Sequence, residues 1–194
     1  MYDLPTSINI QNKEFKIRAN GDYRMVLDCF EVLNDSDMTM RERTLTSIMI
    51  FFEGINEIKD IEKLGDLDQV IKQMNIFFNC GQENIGKSSS YKLIDWNKDS
   101  LLIMSAINNV ANKEVRAEKY VHWWTFMGYY LAIGDCALSN IVGIRNKIAR
   151  GKKLEKYEKE FKLENPQYFT SDYKSIEQKD IENWFMTEVW NKEE

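Results

Sequence analysis

Proline and glycine are scarce in this chain, at 2 and 9 of 194 residues. So few breakers argue against a turn-rich β architecture and leave long stretches free for helices. Cysteine is also sparse. Cys29, Cys80 and Cys136 are odd in number and far apart, which excludes a disulfide scaffold or a thiolate metal box and predicts reduced thiols in a cytosolic setting. Cys29 and Cys136 stand in apolar runs, where cysteine acts as a small hydrophobe. Histidine occurs once, at His122, too few for a histidine metal cluster. The longest apolar run, "SIMIFFEGI", is far shorter than a membrane span. The segment "MYDLPTSINIQ" has neither the basic nor the apolar region of a secretory leader. A soluble, intracellular protein without a membrane role is expected. Its net charge of −5 and pI of about 5.2 argue against sequence-nonspecific nucleic-acid binding.

What is present is apolar periodicity. Hydrophobic residues make up 43% of the chain and aromatics 12%, enough for a packed core. "TSINIQNKEFKIR" alternates, with Ile8 and Ile10 on one face and Phe15 and Ile17 on another. The polar "QNKE" between them predicts a β-hairpin over about 5–18. From there the period becomes helical. Tyr23, Val26, Leu27, Phe30 and Leu33 mark a first helix, capped by Asn20 or Asp22. A second starts at an N-cap Thr39 and carries Leu45, Ile48, Met49 and Phe52, ending near Gly54. Leu67, Val70, Ile71, Met74, Phe77 and Phe78 mark a third, with Gly81 as its left-handed terminator. After a polar stretch, 82–92, a fourth follows Asp95 or Asn97, with Leu101, Met104, Ile107 and Val110 repeating. "RAEKYVHWWTFMGYYLAIG" reads as a long fifth helix ending at Gly134. "ALSNIVGIRNKIARG" is a sixth, and 153–163 a solvated seventh broken by "NPQYF". "IEQKDIENWFMTEVW" is a last amphipathic helix with Ile181, Trp184, Phe185 and Val189 or Trp190 on its apolar side. The fold class is mainly α: one domain of about seven or eight helices with an N-terminal hairpin over 1–165, and a C-terminal appendage over 166–194.

Candidate sites are few. "GQENIGKS", Gly81 to Ser88, fits the phosphate-cradling pattern G-x-x-x-x-G-K-[ST]. That chemistry needs a parallel strand before the loop and a helix directly after it. Here a helical period precedes Gly81, no amphipathic helix follows Ser88 at once, and no apolar strand ends in a magnesium-binding aspartate. A helix terminator and a polar linker explain the segment better. His122 lies four residues after Glu118 and has no second ligand near it, so a histidine satisfied within the core is the better reading. "YVHWWTFMGYY" holds six aromatics in eleven residues. That density covers more than one side of a helix, and so predicts a buried face and a face for a partner. Between Arg145 and Lys162 eight Lys/Arg face three Glu. Glutamates at helical spacing predict an ion-paired, solvated face there. No nucleophile–base pair, paired-carboxylate site or metal box is seen, so no catalytic activity and no cofactor is expected. The candidate partner-binding residues are Trp123, Trp124, Tyr129, Tyr130, Trp184, Phe185 and Trp190.

The order of these segments resembles the bacteriophage gene-product-fifteen family of tailed phages and prophages of Gram-positive bacteria. The Leu-Pro opening at Leu4, the hairpin and the trio Asp22-Tyr23-Arg24 match its start. "YKLIDWNKDSLLIMSAI", "VHWWTFMGYYLAI" and "IVGIRNKI" with Arg145 match its later signatures. The likeness covers about 3–165, with a variable loop where "GQENIGKSSS" stands. Such genes typically lie between those of the major tail protein and the tape-measure protein. The resemblance therefore implies a tail-assembly chaperone in the host bacterial cytoplasm that binds the tape-measure protein, and possibly the tail-tube protein or a second copy of itself. A structural tail or baseplate part is the alternative it leaves open.

Overall fold

A computed structural model describes residues 3–83 and 93–169. These form a two-stranded hairpin, β1 (Ser7–Ile10) and β2 (Lys13–Lys16), and eight α-helices. In chain order the helices are α1 (Tyr23–Leu33), α2 (Met40–Phe51), α3 (Ile58–Ile61), α4 (Leu67–Phe78), α5 (Ser100–Ala111), α6 (Trp123–Leu131), α7 (Ala137–Ala149) and α8 (Lys156–Glu164). The mainly α architecture with an N-terminal hairpin is as expected. The expected last amphipathic helix, with Trp184, Phe185 and Trp190, lies outside the described residues, as does most of 82–92. The described chain forms two compact units. The first takes the described part of Met1–Ile85 and Glu114–Leu131, the second the described part of Gly86–Lys113 and Ala132–Glu194.

In the first unit β1 and β2 pair antiparallel, Ile8 opposite Phe15. Gln11 and Asn12 alone make the turn, with φ of +49° and +62°, the left-handed pair that matches the twist of a two-residue hairpin. Ile8 and Ile10 are buried, and β1 packs on α4. Beyond the hairpin, Ala19, Asn20 and Gly21 take three successive left-handed conformations. A Cβ on Gly21 would stand 2.9 Å from Phe77 Cζ and 3.0 Å from His122 Nε2, so only glycine fits that crossing. The turn delivers Asp22 as the N-cap of α1, its carboxylate accepting the Arg24 N–H.

α1 packs on α2, whose entry is a capping box of Thr39 and Glu42. The buried stripe of α2 is Thr44, Ser47, Ile48 and Phe51, displaced from the expected Leu45, Ile48, Met49 and Phe52. Leu45 and Met49 are half-buried. The helix stops at Phe51, short of Gly54, because the Arg18 guanidinium takes the carbonyls of Met49, Ile50, Phe52 and Ile55 at 3.0–3.2 Å. Those acceptors would otherwise be orphaned at a helix end. Phe52, buried beyond the helix, bridges to Ile17. The single turn α3 has too few residues for periodicity to reveal it. α4 begins at Asp66, whose carboxylate accepts two backbone N–H groups. It ends on left-handed Cys80 and Gly81, with Gly81 N–H donating to Ile76 O at 2.8 Å. Gly81 is the terminator the sequence indicates.

α6 is much shorter than the helix expected over 116–134. Arg116 lies in a 3₁₀ turn, Val115–Ala117. The carbonyls of Arg116 and Glu118 accept from Arg24, and Tyr23 N–H donates to Val121 O. A helix through 116–122 would need those same carbonyls for itself.

In the second unit α5 packs on α7. Ile103, Met104, Ala106 and Ile107 face Leu138, Ile141 and Ile144 in the core. Leu101, expected on the inner stripe, is 71% exposed. Asp99, not Asp95 or Asn97, precedes the first turn of α5. Its carboxylate is gripped by the buried Arg145 guanidinium, with Nη2 at 2.8 Å from Oδ1. Arg145 also donates to Leu93 O and Tyr168 O, so it ties both irregular ends of the described unit to α7.

The Thr44 and Ser47 hydroxyl oxygens are buried without a hydrogen-bond partner. An unmet buried hydroxyl is unfavourable, so Thr44→Val and Ser47→Ala should each raise stability by roughly 1 kcal/mol in urea denaturation. Arg145→Met should lower it by about 3–5 kcal/mol, because Asp99 would be left buried and unpaired. Arg145→Met combined with Asp99→Leu should recover most of that loss.

Candidate functional site

The sequence singles out the aromatic stretch around α6, and the first unit shows how its side chains are used. Trp123 is 1% exposed. Its ring lies edge-on to Phe30 at 5.6 Å and stacks near Phe126, which stacks in turn on Tyr23 at 4.3 Å. Its indole N–H donates to Phe78 O at 2.9 Å, and that of Trp124 donates to Phe77 O at 2.9 Å. The two consecutive tryptophans therefore satisfy two of the last carbonyls of α4. Trp124 also covers the end of that helix: a Cβ on Gly81 would stand 3.0 Å from its ring. Left-handed φ and this close ring both demand glycine there.

His122 is 1% exposed and sits at the entry to α6. Its Nδ1 accepts the Trp124 N–H at 3.0 Å, which leaves Nε2 to donate to Pro5 O at 3.0 Å. Both ring nitrogens are thereby used by a neutral imidazole. Burial pulls its pKa below the usual 6.5, only partly opposed by the Pro5 carbonyl and the Asp22 carboxylate. Glu118 shares no helix with it. The histidine is a structural group.

Trp123 thus offers a partner no free face. Trp124, Tyr129 and Tyr130 are half-buried, and Trp184, Phe185 and Trp190 lie outside the described residues. The open side of α6 is the row Trp124, Gly128 and Leu131, one above another at i, i+4 and i+7. Leu131 is 75% exposed, and nothing stands within 4 Å of where a Gly128 Cβ would be. Neither residue is conspicuous in sequence; the only signal is their spacing from Trp124.

Other concavities hold little free chemistry. In the first unit a cavity of about 390 Å³ is lined by Arg18, Asp22, Arg24, Asp28, Lys119 and Tyr120, among others. Arg18 is committed to carbonyls, and Arg24 to Asp22 and to two carbonyls. In the second unit one of about 310 Å³ lies between α5 and the start of α7, with Cys136 on its wall. No group of three or more His, Cys, Asp or Glu among the described residues could hold a metal. The residues before Gly81 are helical, and the one sheet among the described residues is the antiparallel hairpin. The parallel strand that a phosphate loop needs is therefore not in front of Gly81; Gly86, Lys87 and Ser88 lie outside the described residues. No helix among the described residues is long and apolar enough to cross a membrane.

These features define a mainly α protein whose aromatic and ionic side chains are largely committed to joining its elements. The chain belongs to the family described as Bacteriophage Gp15 protein, which matches residues 1–168. It is a phage protein. Neither a curated protein nor a solved structure matches it.

The neutral His122 makes stability depend on pH. Its folded pKa is depressed, so below about 6.5 the unfolded chain takes up the proton first and stability falls with pH. Thermal melts should show a decline between pH 7.5 and 5.5 that is largely absent in His122→Asn. Asp60 and Glu158 are held below the usual carboxylate range, chiefly by hydrogen bonds from Lys63 and Lys147. They should add a separate loss only at lower pH, as their carboxylates are protonated.

Proposed function

We propose that this protein is a non-catalytic tail-assembly factor that binds the phage tape-measure protein in the host cytoplasm. It would keep that long chain's apolar helical surface from aggregating until tube protein polymerises around it. Membership of a phage family supports the phage setting. The observation that carries the binding role is the open row Trp124, Gly128 and Leu131. A half-buried indole and an exposed leucine flank a glycine with free space above it. A glycine floor lets another helix approach closely, and the flanking apolar groups suit the apolar face of an amphipathic helix. Affinity in such contacts comes from a few desolvated anchors. Trp124 is already held in place by its bond to Phe77 O, so little freedom would be lost on binding.

Co-expression with the tape-measure chain tests this. The wild type should capture it and keep it soluble. Leu131→Asp and Gly128→Trp should weaken capture by about tenfold or more, equivalent to about 1.4 kcal/mol, with unchanged melting temperature. A tape-measure chain equally soluble and uncaptured with or without this protein would sink the proposal. Mass spectrometry of purified particles should find the protein absent; its presence there would mark a structural component instead.

A further inference from the structure

The basic stretch of the second unit is not neutralised as its sequence suggests. Glu158 is buried and accepts from Lys147 at 2.6 Å and from the Glu155 N–H. Glu155 is the N-cap of α8, joined to Glu158 in a capping box. Glu160 reaches only Lys156, loosely, at 3.8 Å. The interleaved acids are thus used within the fold. Arg150, Lys152, Lys153, Lys159 and Lys162 make no ion pair among the described residues. All but the half-buried Lys162 are exposed. Lys156, Lys159 and Leu163 fall on one side of α8 at i, i+3 and i+7, and Leu163 is 80% exposed among these cations.

The described chain ends against this helix. Arg145 holds Tyr168 O at 2.8 Å, and the Phe169 ring stands 6.3 Å from that of Phe161 on α8. The remaining residues, 170–194, include seven Asp/Glu against three Lys, with Ile176, Ile181, Trp184, Phe185, Val189 and Trp190 at amphipathic spacing. They lie beyond the stretch that the family matches.

We infer that this acidic, aromatic segment of the chain itself docks on the cationic side of α8 and the turn before it, Arg150 to Lys159. Its carboxylates meet the uncompensated lysines, and an apolar side chain covers Leu163. Reach is no obstacle. Six extended residues span about 20 Å, while α8 is about 14 Å long at 1.5 Å per residue. Tethering at Phe169 gives an effective concentration of about millimolar, so weak contacts suffice. Leu163 within the patch favours a segment carrying both acids and aromatics over a nucleic-acid backbone, which would meet the cations alone. The inference is independent of the tape-measure reading, which rests on the other unit.

Carbodiimide cross-linking of the full chain, mixed as ¹⁴N and ¹⁵N protein, tests it. Links within one chain are expected from Lys152, Lys153, Lys156 or Lys159 to Glu177, Asp180, Glu182 or Glu188. The quadruple variant K152E/K153E/K156E/K159E should cut hydrogen-exchange protection of amides 177–190 by about tenfold or more. Adding the reciprocal changes E177K/D180K/E182K/E188K should restore it. These lysines are exposed, so the melting temperature serves as the folding control. Unprotected amides, links only between chains, or links that avoid these lysines would each overturn the inference. So would a DNA duplex that binds the wild type at physiological salt and is released by the lysine reversal, which would hand the face to nucleic acid.

Discussion

The Asp22 carboxylate is the point on which the first unit turns. It caps α1 through the Arg24 N–H, pairs with the Arg24 guanidinium, and accepts the N–H of Val121, 99 residues away in sequence. Arg24 then reaches past it to the carbonyls of Arg116 and Glu118. Together they hold 116–122 out of a helix and decide where α6 starts. That start fixes His122 beside Gly21 and places both indoles on the end of α4. A carboxylate that lost this geometry would leave the cap of α1 and the Val121 N–H at the entry of α6 unsatisfied at once, and would loosen the indole that serves the Phe78 carbonyl of α4. Two left-handed non-glycine residues, Ala19 and Asn20, are unfavourable by themselves. They lie between Arg18, anchored on the end of α2, and Asp22, anchored on α1 and Val121.

The second unit repeats the arrangement with other residues. An aspartate opening a helix, Asp99, is held by an arginine, Arg145, which also collects carbonyls from irregular chain on two sides. A buried ion pair contributes little net stability, because desolvation offsets the Coulomb attraction. What the pair supplies is position. A planar guanidinium with five donors can satisfy a carboxylate and two carbonyls together in one geometry. Lysine, at either Arg24 or Arg145, would keep the charge and lose the joint.

Such joints separate the legible parts of the sequence from the rest. Hairpin and helices are local, and the alternation of Ile8 and Ile10, the cap at Thr39 and the terminator at Gly81 can be read directly. The short α6 cannot. Residues 116–122 have an acceptable helical period, and only Arg24, some 92 residues earlier, removes the carbonyls the helix would need. Periodicity misplaces the stripe of α2 for a related reason. Leu45 and Met49 look like core by hydrophobicity, yet the seam with α1 takes Thr44 and Ser47, two polar groups that no periodicity argument would choose to bury. The basic stretch reads as self-neutralising because Glu155, Glu158 and Glu160 have helical spacing. Spacing does not reveal that a cap takes one glutamate and burial another.

The aromatic density of 120–130 points to function less directly than its composition suggests. Trp123 and Phe126 form core, His122 joins the Pro5 carbonyl to α6, and Trp124 closes α4. The open side of the helix is then Gly128 and Leu131, beside the half-buried Trp124. On α8 the acids are absorbed by the fold and Leu163 is left exposed beside Lys159, which makes no ion pair among the described residues. In both units an exposed leucine, Leu131 or Leu163, stands where the internal joints leave the surface uncovered. Residue types that look functional in sequence, the tryptophans of α6, the histidine and the buried arginine, are engaged in those joints.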